Sequence, residues 1–193
     1  MRVRTAVVLA VLASLMACGT PPKERYYALS MPEPQSVAND ATAFAVAVGP
    51  VAVPEMVDRP QLVLRVAANR MELSELNRWA EPLKRSLPRA IAASIAREVP
   101  AARVYVASND VLDPKDYQVR ISVERFESEL GKGVTVEAAW TVQGGGTTQL
   151  RHGRSVVREA VAGPGYDELV AAHSAAVAAI GREIATTLLA MRR

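Results

Sequence analysis

The clearest pattern of apolar and polar positions runs from Tyr117 to Val142. Tyr117, Val119, Ile121 and Val123 alternate with Gln118, Arg120, Ser122 and Glu124, a strict period of two. After the turn Gly131-Lys132-Gly133, residues Val134, Val136, Ala138, Trp140 and Val142 alternate with Thr135, Glu137, Thr141 and Gln143. Gly144-Gly145-Gly146 then turns the chain towards a third strand over residues 154–161. One face of this meander is apolar and the other wet, which predicts an antiparallel sheet covered on one side. Phe126 falls out of phase with Val123, predicting a bulge near Glu124 and Arg125. Upstream, shorter strands are predicted at 26–29, at 44–53 with a bend at Gly49-Pro50, and at 62–66. Between 49 and 83 the pattern is otherwise irregular, and 31–42, with Pro32 and Pro34, reads as a connection.

Two segments repeat with helical spacing. From Pro82 to Val99, Leu83, Leu87, Ile91 and Ile95 recur every fourth residue, and Pro88 should kink this helix or delay its start. After Gly163-Pro164-Gly165, the residues Val170, His173, Val177, Ile180, Ile184 and Leu188 form the seam of a second helix. Asp167 and Glu168 in its first turn and Arg192 and Arg193 at its end suit the helix dipole. Alanines beside the seam would let it sit close to a sheet or to a neighbouring subunit. The predicted class is α+β: a two-layer sandwich of an antiparallel sheet with two helices packed on one face.

The N-terminus changes the picture. Arg2 and Arg4 precede the apolar stretch 5–15, and Leu15-Met16-Ala17 leads into Cys18, the single cysteine of 193 residues. Residues 1–17 read as a secretory signal peptide. The Leu-x-Ala-Cys arrangement resembles the bacterial lipobox, in which the cysteine becomes acylated after cleavage. Several acyl chains, each contributing about 0.8 kcal/mol per buried methylene, anchor a protein stably where one would be marginal. Gly19 after the cysteine, in place of an Asp, leans towards the outer membrane. Residues 18–25, with Pro21-Pro22, form a lipidated tether, and 26–193 form the domain.

Composition then removes several classes of function. The pI near 9.2 invites a nucleic-acid reading. Cleavage after Ala17 leaves 21 Lys+Arg against 20 Asp+Glu, a net charge of +1, with no basic run to meet a phosphate backbone. One cysteine closes no internal disulfide, and two histidines far apart leave little material for zinc or a His-based triad. No nucleophile elbow, zinc-protease helix, phosphate loop or dinucleotide fingerprint occurs. His152 reads as an exposed turn residue and His173 as a packing residue on the helix seam. Glu127 and Glu129 read as a solvated strand end.

What stands out is the stretch 49–83. Asp58, Arg59, Arg65, Asn69, Arg78, Trp79 and Glu81 combine both charges with an indole. Two readings stand side by side. In one, arginines pair with acids to fix loops while Trp79 plugs the junction of sheet and helix. In the other the stretch is a docking surface, since Trp and Arg are enriched at binding hot spots.

These same residues carry a family resemblance. Tyr26-Tyr27-x-Leu29, Val48-Gly49-Pro50-Val51-x-Val53-Pro54, Asp58-Arg59-Pro60-Gln61-Leu62-Val63, Arg65 with Asn69, and Arg78-Trp79-Ala80-Glu81-Pro82-Leu83 are similar to the ABC-type transport auxiliary lipoprotein family. The strands around Tyr117-x-Val119, Arg125-Phe126 and Glu137-Ala138-Ala139-Trp140, and the helix with Leu169-Val170-Ala171-Ala172, match as well. The resemblance implies a lipoprotein on the periplasmic face of the outer membrane, with no catalytic group and no cofactor beyond the lipid on Cys18. It implies partners too: a mammalian-cell-entry (MCE) domain protein, an inner-membrane transporter component, and further copies of the chain in a homo-oligomer. The implied work is lipid transport between membranes and support of membrane integrity. Met56-Val57, Pro88 and His173 depart from the family pattern, which usually has a methionine at the last position. Two alternatives remain: a carrier holding an acyl chain between Val134, Val136, Trp140 and the last helix, or a structural lipoprotein of another envelope complex.

Overall fold

A computed structural model describes residues 22–33, 44–107 and 113–192. The signal segment, Cys18 and residues 19–21 of the tether lie outside the described residues, as do 34–43, which include most of the predicted connection, 108–112 and Arg193. The elements in chain order are β1 (Arg25–Tyr27), β2 (Phe44–Ala52), β3 (Gln61–Ala67), β4 (Arg70–Trp79), α1 (Leu83–Glu98), β5 (Ala102–Val106), β6 (Tyr117–Glu129), β7 (Gly133–Gln143), β8 (Leu150–Ala160) and α2 (Tyr166–Met191). The class is α+β, as the periodicities predict.

The strands form two sheets, ordered β5-β2-β6-β7-β8 and β1-β4-β3. The β6-β7-β8 meander is antiparallel, as its alternation predicts. Two differences from expectation concern pairing. β2 lies parallel to both β5 and β6, and β1 parallel to β4, so neither sheet is wholly antiparallel. The physical reason is non-local: parallel neighbours need a long crossover, and α1 lies in the one between β2 and β5. A central strand covered on both faces reads as a continuous apolar run. In β2, Val46, Ala47 and Val48 are all fully buried.

The second difference is the three-stranded sheet itself. The stretch expected to be irregular holds the β3-β4 hairpin. β4 pairs with β3 up to Ser74 and again at Arg78, and with β1 from Asn77 to Trp79. Glu75 and Leu76 therefore fall in the register break of the β3-β4 ladder, before the β1 pairing begins. Its side chains bury little, which hides the strand from a periodicity argument. The bulge in β6 is where the phase slip puts it: Val123 pairs with Ala138 and Arg125 with Glu137, so Glu124 is the extra residue and Phe126 returns to the core face. His152, expected in a turn, lies on β8, where Thr141 Oγ1 is 3.1 Å from its Nδ1.

Both helices cover one face of the larger sheet, α1 over β2 and β5, α2 over β7 and β8. α1 starts at Leu83 without delay and continues through Pro88. Every residue of the predicted α2 seam is buried. By length and by a mean hydropathy of 1.3, α2 would suit a membrane span, but its seam packs on the sheet and on α1, as a core helix does. The two helices approach closely at Gly181, where a Cβ would stand 2.4 Å from Ser94 Cβ. Gly181, Ala172 and Ala176 thus face inward, whereas Ala171 and Ala175 are exposed.

Candidate partner-docking site

Asp58, Arg59 and Pro60 end the turn between β2 and β3, and Trp79 to Pro82 link β4 to α1. A turn bond from Val57 N–H to the Pro54 carbonyl (3.0 Å) sets the first segment. The Trp79 N–H donates to the Pro60 carbonyl (2.6 Å) and the Ala80 N–H to the Tyr27 carbonyl (2.7 Å), holding the second segment beside the first. Between them lies a cleft of about 380 Å³ lined by these seven residues. Its walls are largely apolar, with charge at the rim.

The indole of Trp79 forms the floor. It is 6% exposed and edge-on to Phe126 and His173, with ring centroids 6.0 Å away in both cases. Phe126 and His173 stack in turn at 4.0 Å. His173 Nε2 lies 2.8 Å from Ser128 Oγ, whereas its Nδ1 is buried with no partner among the described residues. Burial pushes the imidazole down to a pKa of about 3, so it is neutral at ordinary pH. That is a packing role, as its place on the helix seam predicts.

At the rim, Asp58 Oδ2 meets Lys84 Nζ at 2.6 Å, and Glu81 pairs with Arg89. Both cations come from α1, which therefore presents the two acids in fixed positions. Arg59 differs, because its Nε is buried and has no partner among the described residues.

Of the seven residues singled out in the sequence, the structure brings together Asp58, Arg59, Trp79 and Glu81. The other three lie elsewhere. Arg78 pairs with Glu24 (3.1 Å) and donates from Nε to the Glu75 carbonyl (3.0 Å). Arg65 forks onto Glu127, from Nη2 at 2.5 Å and from Nε at 3.0 Å. Asn69 is exposed in the β3-β4 turn. Both arginines pair with acids, as one of the two readings expects, although Arg65 joins two strands rather than fixing a loop. Glu127, expected to be merely solvated, is the acceptor that ties β3 to β6. Its signal in the sequence was the bulge at Glu124 on the same strand, which resets the faces of β6. Among the described residues no group of three or more His, Cys, Asp or Glu side chains is placed to hold a metal. Val134, Val136 and Trp140, the proposed walls of an acyl-chain cavity, are buried in the core cluster with α2.

The fold is a two-sheet α+β body with an apolar, charge-rimmed cleft. The model of the ABC-type transport auxiliary lipoprotein component matches residues 27–185, and the chain belongs to that family. It is thus an accessory of a transport system of the cell envelope. No curated protein matches the sequence. Among solved structures, one titled only as an uncharacterized protein shares 21% identity at a TM-score of 0.72, covering 86% of this chain and 99% of its own. Protein XCC0632 from Xanthomonas campestris, of the family called DUF330, shares 17% identity at a TM-score of 0.63, covering 83% of this chain and 92% of its own. Both likenesses support the fold.

Proposed function

We propose that this protein is an outer-membrane lipoprotein that acts without catalysis as the docking component of an MCE-type intermembrane lipid transport system. Acylated Cys18 holds it at the membrane. The cleft between Asp58-Arg59-Pro60 and Trp79–Pro82 receives a segment of the MCE-domain partner, and several copies assemble into a homo-oligomer around it. The observation that carries this reading is the cleft itself: four residues flagged from sequence converge on one apolar hollow. Trp79 offers a desolvated side chain, Arg59 an N–H without a partner among the described residues, and Asp58 and Glu81 a rim that sets the register. Aromatic floors with charged rims concentrate binding energy in a few side chains.

The test is site-specific photocrosslinking in cells. A benzoylphenylalanine in place of Pro60 or Glu81, both at the cleft mouth, is expected to trap the MCE-domain protein. The same probe at exposed Val156 on β8 serves as reference. Adducts with that protein from Val156 alone would move the docking surface out of the cleft, and none from any position would remove the partner.

A further inference from the structure

We propose that the end of the domain built from β1, the register break of β4 and the start of α2 is the surface that rests on the lipid headgroups. The inference rests on the acylation of Cys18. Pro22 follows Cys18 by four residues, which span at most about 14 Å when fully extended. Whatever path the chain takes there, Pro22 stays within that reach of the anchored residue. Pro22, Lys23 and Arg25 line a shallow depression of about 340 Å³ together with Leu76, Asn77 and Tyr166, so these residues share one end of the molecule.

That end has the composition of an interfacial contact. Tyr26 is 62% exposed and Leu76 38% exposed. The Tyr26 hydroxyl donates to Glu24 Oε2 (2.5 Å), and Arg78 pairs with the same carboxylate, so the one acid of the tether end is matched by its neighbours. Lys23 and Arg25 are exposed beside it. Glu75 in the register break and Asp167 in the first turn of α2 are also exposed, so the cations and acids roughly balance. The amphipathic Tyr26 ring with Leu76 among them suits the boundary between acyl chains and headgroups.

The opposite end follows from the helix. α2 has 26 residues and is therefore about 39 Å long. Tyr166 opens it at the proposed membrane end, and at its other end the guanidinium of Arg192 lies 3.9 Å from the Phe44 ring centroid. β8 runs antiparallel to the helix, with Ser155 Oγ donating to Glu183 Oε2, which puts Leu150 at the end remote from the anchor. The domain therefore stands with Leu76 against the bilayer and Leu150 pointing into the compartment.

Full-length protein acylated at Cys18 has no free thiol, so Leu76→Cys and Leu150→Cys each accept one maleimide fluorophore. The two labelled proteins are reconstituted in phosphatidylethanolamine–phosphatidylglycerol vesicles that carry a headgroup-attached nitroxide lipid. The probe at 76 is expected to be quenched several-fold more strongly than the probe at 150. Equal quenching, or stronger quenching at 150, overturns the orientation. Quenching at neither also overturns it, and would place a protein surface over Leu76. Label uptake by the unsubstituted protein is read separately: none is expected, and uptake would reveal a free thiol at Cys18 and overturn the anchor on which the orientation rests.

Discussion

Arg65 on β3 and Glu127 on β6 form a two-pronged ion pair, with Nη2 to Oε1 at 2.5 Å and Nε to Oε2 at 3.0 Å. The pair joins the small sheet to the large one, and Arg125, 3.8 Å from the same carboxylate, extends it along β6. The carboxylate holds the Arg65 pKa above its usual value, so the guanidinium stays charged. A forked geometry of this kind is not reproduced by lysine.

Arg65→Lys and Glu127→Gln should therefore loosen the β3-β4 hairpin while sparing the β6-β7-β8 meander. Hydrogen exchange read by mass spectrometry is expected to show faster exchange in residues 61–79 and little change in 133–160. The double variant should be no worse than the worse single one, because both changes remove the same contact. Additive losses would mean the two side chains stabilise separate things.

His173 makes stability depend on pH. Its folded pKa is about 3, whereas in the unfolded chain it titrates near the ordinary histidine value of 6.5. Above pH 6.5 both states are neutral and the contribution is complete. As the pH falls below 6.5, the unfolded state gains a proton that the buried ring refuses, and stability declines by up to about 1.4 kcal/mol per pH unit until the folded pKa is reached. His173→Met fills a similar volume without titrating. Urea midpoints between neutral pH and mildly acidic pH should fall less steeply for the variant than for the native chain. Parallel slopes for His173→Met and the native chain would contradict the burial of a neutral ring.

The Trp140 indole lies across Gly153, where a Cβ would stand 2.1 Å from the ring. The same indole donates from Nε1 to Ser155 Oγ at 2.9 Å, so it has little freedom to shift. Gly153→Ala should cost about 1–3 kcal/mol, the range for overpacking a filled site. Chemical denaturation gives the loss, and a red shift of tryptophan emission should report the displaced ring. An unchanged midpoint would mean the ring moves aside freely.

Much of this architecture could be read along the chain, and the reason is local periodicity. The β6-β7 hairpin, the bulge at Glu124 and the α2 seam each express themselves within one contiguous stretch of chain, because one face is apolar and the other wet. Strand direction could not be read, since Val46 and Val48 alternate identically whether their neighbours run parallel or antiparallel. β4 was hidden for another reason: Leu73 and Leu76 stay largely exposed, so its pattern never separates two faces. For the cleft, Asp58, Arg59, Trp79 and Glu81 were recognisable as unusual residue types, but their convergence depends on the Trp79-to-Pro60 backbone bond, which joins positions far apart in sequence. Arg65 and Arg78 share the same composition signal and do a different job, because their partners, Glu127 and Glu24, lie on other elements.

The account stands most directly on the anchor. Cells producing the native chain and Cys18→Ser, grown with radiolabelled palmitate and separated into membrane and soluble fractions, give the decisive comparison. The native chain should carry label and sediment with membranes, and the serine variant should lose the label and leave the membrane fraction. Label and sedimentation that persist in the serine variant would contradict the acylation of Cys18 and, with it, the placement of the domain at the bilayer.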